Sequence, residues 1–353
     1  MPPLKQKRSR KSTSLISSDP EAPTKSEWDK MPPFKTFKVE DEDGEEHPFS
    51  LGNDAMVLPQ HFEPGSRIKP HEYWVAKIKD IRSRGDEVWV MVQWYYSGQD
   101  AASLIRTFDP KTCGKYERMY SDQQDLISSL AFESVVVVNN FRESKIDSFI
   151  SRTQFFTRFN LEHKRRAILP KVGDGTCICD APYKPDDFSG LMHFCPRPSC
   201  RQAYHQICLV RAESKETARG RKHRLLLCSP DTDKEFSLEA LIKERVSTPA
   251  KKRRSSGGKR AISATSPTSV LASLPAKLVE LAMQPMVRGA AFPEGGVTGN
   301  ISYVAHARRL VYSGMTDTDP IPDDWEDEVN QHATIVTMED IPPLVCPKCK
   351  SAI

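Results

Sequence analysis

No stretch of this sequence approaches the roughly 20 consecutive apolar residues that a membrane-spanning helix requires. The basic residues near its start are followed by no apolar run, so no secretory leader is expected. A charge excess is also missing. Lys and Arg number 51 against 47 Asp and Glu, a net of +4, too little for a global field that draws in nucleic acid. Apolar residues make up only 38% of the 353 positions, alongside 27 prolines. That is lean for one globule, and it leaves room for two modest domains plus unstructured chain. Internal repeats, a Ser-His-Asp order, a phosphate-cradling Gly loop and a glycosidase-like carboxylate pair are all lacking. Pro293-Glu294-Gly295-Gly296 is too short a Gly-rich element to count. The composition argues against a membrane protein and gives no support to an enzyme.

What is present is clustered. Lys5-Gln6-Lys7-Arg8-Ser9-Arg10-Lys11 and Lys251-Lys252-Arg253-Arg254 read as nuclear import signals, with weak, sequence-independent phosphate contact from Lys251 to Arg260 as the other reading. Residues 1–46, with little apolar pattern, are expected to be a disordered basic tail, and Ser247–Ser273 a disordered stretch. A β domain is expected over 47–160. Val75–Ile81 and Val88–Tyr96, joined at Arg84-Gly85-Asp86, predict a hairpin, and Phe132–Val138 predicts a third strand. The spacing of Ile146, Phe149, Ile150, Phe155, Phe156 and Phe159 permits a helix over 144–165. Residues 161–176 read as a linker hinged at Gly173-Asp174-Gly175. Leu274–Met283 and Ser302–Tyr312 predict helices within a long insertion, 209–345.

The cysteines carry the strongest chemistry. Cys177/Cys179, Cys195/Cys200, His205/Cys208 and Cys346/Cys349 form four close pairs. Eight soft or borderline ligands suffice for two closed tetrahedral zinc sites, with no open position for a reactive water. Disulfides fit poorly with a ladder that includes His and with nuclear-type basic clusters. Cys113 and Cys228 stand outside the ladder; Cys228 is the alternative ligand if Cys346-Pro347-Lys348-Cys349 is a free pair.

This ladder resembles the PHD finger of chromatin proteins, over 177–353 with the insertion inside it. The resemblance implies a cross-brace. Cys177, Cys179, His205 and Cys208 would hold the first zinc, and Cys195, Cys200, Cys346 and Cys349 the second. Tyr204 matches the aromatic usual before the ligand His. Ala203 stands where fingers that read trimethylated lysine 4 of histone H3 carry a Trp, so that activity is not expected. Asp186-Asp187 near Tyr183 could accept an unmodified lysine, although solvated acids are the commoner case. A RING-type ubiquitin ligase also braces two zincs, but it usually has fewer residues between its third and fourth cysteines.

The β domain resembles the bromo-adjacent homology (BAH) domain. Tyr73-Trp74-Val75-Ala76-Lys77-Ile78, Val92-Gln93-Trp94-Tyr95-Tyr96, Ser121–Asp125 and Val135–Val138 carry the likeness. A curved, mainly β BAH domain followed by a PHD finger is similar to a group of fungal effectors, and to a related plant architecture, that read trimethylated lysine 27 of histone H3. Trp94 and Tyr96, two apart on a strand, share a face. The resemblance implies that they and Trp74 cage the methylammonium, with Tyr73 as the alternative to Trp74. Ser121, Gln123 and Asp125 would contact the histone peptide, Gln123 standing where the family has His. Tyr95, Trp89 and Phe132 are assigned to the core. Implied with this are a nuclear location, a histone H3 tail or nucleosome as partner, possible membership of a repressive complex, two structural zinc ions and no catalysis. A BAH scaffold with a degenerate cage is the remaining alternative.

Overall fold

The computed structural model describes residues 4–7, 21–41, 44–59, 68–146, 148–173, 176–188, 190–197, 200–214, 273–316, 320–329, 344–350 and 353. The second basic cluster, the expected disordered stretch from Ser247 up to but not including Ser273, Cys228 and the centre of the expected hinge lie outside them. The chain divides into two compact units. One comprises Met1–Arg142, Ile150–Asp174 and Lys184–Asp186; the other comprises Glu143–Phe149, Gly175–Tyr183 and Asp187–Ile353.

The first unit begins with β1 (Leu4–Lys7), α1 (Lys25–Trp28), β2 (Pro33–Phe34) and β3 (Thr36–Glu40). There follow β4 (Glu46–Ser50), β5 (Asp54–Val57), β6 (Trp74–Arg84), β7 (Glu87–Tyr96) and α2 (Gly98–Leu104). After them come β8 (Met119–Ser128), β9 (Phe132–Val136), β10 (Asn139–Asn140), β11 (Phe156–Thr157), β12 (Asn160–Glu162) and β13 (Ala167–Leu169). The main sheet runs β13-β12-β8-β7-β6-β5-β9, with β2 pairing β6. The expected hairpin is its centre. β6 and β7 pair antiparallel down to Arg84 opposite Glu87, and Gly85 turns the chain at φ +59, which only glycine adopts without strain.

Three sequence expectations are corrected. The later part of the expected tail carries structure: Thr24 caps α1 through a reciprocal bond with Glu27, and Trp28, Met31, Phe37 and Val39 are buried, while residues 8–20 lie outside the described residues. The scarce apolar residues of that segment are spent on the core, which is why its composition read as disorder. Residues 161–176, read as a linker, begin with the end of β12 and carry β13, and β12 runs parallel to β8. The helix over 144–165 is absent among the described residues. The Gln154 side chain accepts from the Ser151 amide in a turn, and Phe156 enters a strand, so aromatics at helical spacing are buried by turns and short strands instead.

Phe37, Phe49 and Phe132 form the core's centre, with ring centroids 4.9, 5.2 and 5.4 Å apart. Trp89, Tyr95 and Phe132 are buried, as assigned. Glu117 and Arg158 make a buried bidentate ion pair, both bonds at 2.8 Å.

The second unit holds β14 (Met192–Phe194), β15 (Ala203–His205) and α3 (Gln206–Arg211). The insertion supplies α4 (Ala276–Ala282), β16 (Val287–Arg288), α5 (Ile301–Thr316) and α6 (Trp325–Val329). The two helices read from sequence are α4 and α5. Unread was β16, which pairs antiparallel with β14 and completes a sheet ordered β15-β14-β16. Asn300 covers its far edge, its side chain accepting from the Val287 amide at 2.7 Å while its own amide donates to the Val287 carbonyl at 3.0 Å.

Candidate functional site

In the first unit the aromatic cluster sits where β7 loses step with β8. Gln93 faces Gln124 and Tyr95 faces Tyr120, so Trp94 alone stands opposite Ser121, Asp122 and Gln123. An irregularity of this kind ends regular pairing and re-aims side chains. Gln93 holds it: its Nε2 donates to the Ser121 carbonyl at 2.6 Å, and its Oε1 accepts from the Tyr120 hydroxyl at 2.7 Å.

Trp74, Ala76, Trp94 and Tyr96 belong to one side of the sheet. Ala76 pairs with Trp94, and Trp74 and Tyr96 pack against the same cluster as Trp94. The Trp74 and Trp94 rings meet edge to face, centroids 5.6 Å apart at 81°. Trp94 is only 6% exposed, while Trp74 and Tyr96 are half-buried. Tyr73 has extended backbone immediately before β6, so alternation sends its side chain to the opposite face, that of Val75 and Tyr95. Trp74, and not the alternative Tyr73, therefore joins Trp94.

Acidic groups border the rings. Asp125 Oδ2 accepts from Trp94 Nε1 at 2.7 Å, fixing the indole. Its Oδ1 accepts from Gln123 Nε2 at 3.4 Å. Burial, then the carboxylates of Asp125, Asp100 and Asp122, push the Tyr96 hydroxyl up to about 12. The negative potential that resists a phenolate also favours a cation at the same place.

Ser121 needs correction as a peptide contact. It is 2% exposed, and its hydroxyl accepts from the Gln123 amide at 3.2 Å, so it shapes the irregular segment from within. Gln123 and Asp125 remain half-buried. Neither Gln93 nor His163, whose ring lies 5.7 Å from that of Tyr96, was singled out from sequence.

In the second unit the eight paired ligands gather in two groups: Cys177, Cys179, His205 and Cys208, and Cys195, Cys200, Cys346 and Cys349. Within each, the ligand atoms lie within 4.8 Å of one another. Cys179 Sγ is 3.5 Å from His205 Nδ1, Cys195 Sγ is 3.4 Å from Cys349 Sγ, and Cys200 Sγ is 3.6 Å from Cys346 Sγ. A tetrahedral zinc with bonds of about 2.3 Å needs sulfurs roughly 3.8 Å apart, so three thiolates with an imidazole, and four thiolates, both suit zinc. All eight described cysteines are unbridged. Cys346–Cys349 is thus gathered with Cys195 and Cys200, and is no stray pair.

Neighbouring residues on β15 serve different groups. His205 enters the first, and its amide donates to Cys177 Sγ at 3.3 Å. The Tyr204 hydroxyl reaches Cys200 Sγ at 3.8 Å and Cys346 Sγ at 3.7 Å in the second. His193 is buried on β14 against Gln206 and is no ligand. Asp186 accepts from the Lys115 amide, and the Tyr183 hydroxyl donates to the Val297 carbonyl at 2.7 Å. Both are thus engaged internally. A further grouping, Asp41, Glu45 and His47, is accounted for by bonds among its own members.

These features define a protein that combines a β domain bearing an acid-bordered aromatic cluster with a module braced by two four-ligand Cys/His sets. No family model matches the chain. It is similar to chromatin remodeling protein SHL of Arabidopsis thaliana, 31% identical over 163 residues, covering 45% of this chain and 65% of that protein. It is also similar to chromatin remodeling protein EBS of the same plant, 27% identical over 162 residues, covering 45% and 64%. The matched region spans just under two thirds of each relative. Among solved structures, the yeast Rsc2 BAH domain aligns with 34% of this chain and 49% of its own, at 15% identity and a TM-score of 0.25, a likeness too loose to build on. Among the described residues no helix is long and apolar enough to cross a membrane.

Proposed function

We propose that this chain is a non-catalytic nuclear chromatin reader whose BAH-type domain binds a trimethylated lysine of the histone H3 tail, lysine 27, as an effector of transcriptional repression. The observation that carries the reading is the Trp74–Trp94 edge-to-face pair beside Tyr96, with Asp125 locking the Trp94 indole. A trimethylammonium has no hydrogen to donate. It is held by the negative faces of aromatic rings, worth about 2 kcal/mol or more when desolvated. Trp94, nearly buried, serves as the floor; Trp74 and Tyr96 serve as walls; Asp100, Asp122 and Asp125 supply the field. The similarity to two chromatin remodeling proteins supports the setting.

The zinc module acts as a brace and docking element. Ala203 leaves no aromatic wall near His205, and the outer edge of β14, which an extended peptide would need for strand addition, is taken by β16. When bound, zinc supplies only cross-linking: Cys177, Cys179, His205 and Cys208 would hold one ion, and Cys195, Cys200, Cys346 and Cys349 the other.

The test is calorimetric titration of the full chain with H3 peptides, unmodified or trimethylated at lysine 27, lysine 9 or lysine 4. Selective binding of the lysine 27 peptide is expected, weakened roughly thirtyfold by Trp94→Ala. The half-buried Trp74→Ala should weaken it as well, at a smaller cost to the core than Trp94→Ala. Equal affinity for all four peptides would overturn the reading.

A further inference from the structure

Strand order leaves one flank of the aromatic cluster unexplained by Trp74, Trp94 and Tyr96. The sheet runs β12-β8-β7-β6, so Trp74 on β6 stands to one side of the Trp94–Tyr96 pair. On the other side lies β8, where regular pairing is interrupted at Ser121–Gln123. Rings from two adjacent strands make a half-cup, open on that flank.

The turn after β12 reaches into the gap. β12 runs beside β8 with Leu161 opposite Ser121. At its end the His163 amide donates to Asp122 Oδ1 at 2.6 Å, tying the turn to the irregular segment. Arg166, at φ +53, completes the turn back into β13. The His163 imidazole meets the Tyr96 ring with centroids 5.7 Å apart at 44°. It arrives from two strands away, opposite in strand order to the side from which Trp74 arrives.

We propose that His163 is the fourth wall of the cage and the residue that sets its preference for the trimethylated state; this rests on the methyl-lysine reading above. An imidazole offers a flat aromatic face, and its backbone anchor on Asp122 means that little order remains to be gained on binding. A trimethylammonium loses no hydrogen bond when enclosed on a fourth side. A monomethyl or unmodified ammonium keeps N–H groups that enclosure strips of water, so a closed cup discriminates against it. The family pattern places a His on β8, where this chain has Gln123. Here a His approaches the cluster from a different element.

The experiment titrates the full chain and its His163→Ala, His163→Phe and His163→Gln variants with lysine 27 peptides, trimethylated, monomethylated and unmodified. His163→Ala should weaken the trimethylated peptide by roughly threefold to tenfold, leave the unmodified one unchanged, and so narrow the discrimination. His163→Phe, which keeps a flat ring, should restore it. Affinity unaffected by His163→Ala would sink the fourth wall. So would rescue by Gln and not by Phe, which would make the residue a hydrogen-bonding contact to the peptide backbone. Those outcomes, with Trp94→Ala still weakening binding roughly thirtyfold, would leave the methyl-lysine reading intact. If the unaltered chain binds no methylated peptide, both fall together.

Discussion

Arg158 and Glu117 show what single residues contribute to the first unit. Their side chains are 2% and 0% exposed, and Glu117 also accepts from the Gly114 amide at 2.9 Å. Arg158 Nη2 donates to the Thr112 carbonyl at 3.0 Å as well. A buried pair adds little over an apolar one, but removing Arg158 leaves the Glu117 carboxylate buried without its hydrogen-bonded partner. Arg158→Met is therefore expected to destabilise the first unit by about 3–5 kcal/mol, read from urea unfolding followed by tryptophan fluorescence. A loss below about 1 kcal/mol would mean that water reaches Glu117. At this scale the sequence was partly readable. Strand alternation puts Trp94 and Tyr96 on one face and sends Tyr95 to the other, where Val75 and Phe155 bury it. Gln93, Tyr204 and His163 were not readable, because each acts on a group that only the assembled sheet brings near. Ser121 misled for the same reason: a serine on a strand reveals nothing of its burial.

Among elements, short ones decide the outcome. The hairpin of β6 and β7 was visible from alternation and its glycine turn, and α4 and α5 from periodicity. β16 has two residues, too few for any pattern, yet it closes the sheet that carries His193 and, through β15, Tyr204 and His205. Gly289 makes its position possible. Its φ is +136, and a Cβ there would collide with the Gly190 carbonyl. Gly289→Ala is therefore expected to cost the second unit more than about 1 kcal/mol and to speed zinc loss to a chromogenic chelator. Unchanged release kinetics would show that β16 is dispensable to the brace. The helix wrongly expected over 144–165 fails for a related reason. Its aromatics serve different neighbours, Phe155 packing with Val75 and Tyr95 and Phe159 with Met119 and Leu161, so their spacing was never that of one helical face.

At the scale of the whole molecule, the ligand order alone foretold two metals, because six of the eight ligands fall within 177–208. The PHD resemblance implied that the last pair belongs with Cys195 and Cys200, and the fold gathers the four across a long insertion. Elemental analysis should give two zinc ions per chain. Stripping them should abolish amide protection in β14, β15 and β16, since ligand-braced modules lose their fold with their metal, while the central strands β6 to β8 stay protected. One zinc per chain would remove Cys346 and Cys349 from the ligand set.

The wide interval between Cys208 and Cys346 also puts the two metal sites on different clocks. During synthesis the first set is complete as soon as Cys208 leaves the ribosome. The second must wait for Cys349, a delay on the order of ten seconds at ordinary elongation rates. Throughout that interval Cys195 and Cys200 are bare thiols beside a site already able to take metal, and the Tyr204 hydroxyl has only one of its two sulfur neighbours. If zinc is supplied during synthesis, the first set is complete before the second exists, and Cys195 and Cys200 stay uncoordinated thiols until Cys349 is made.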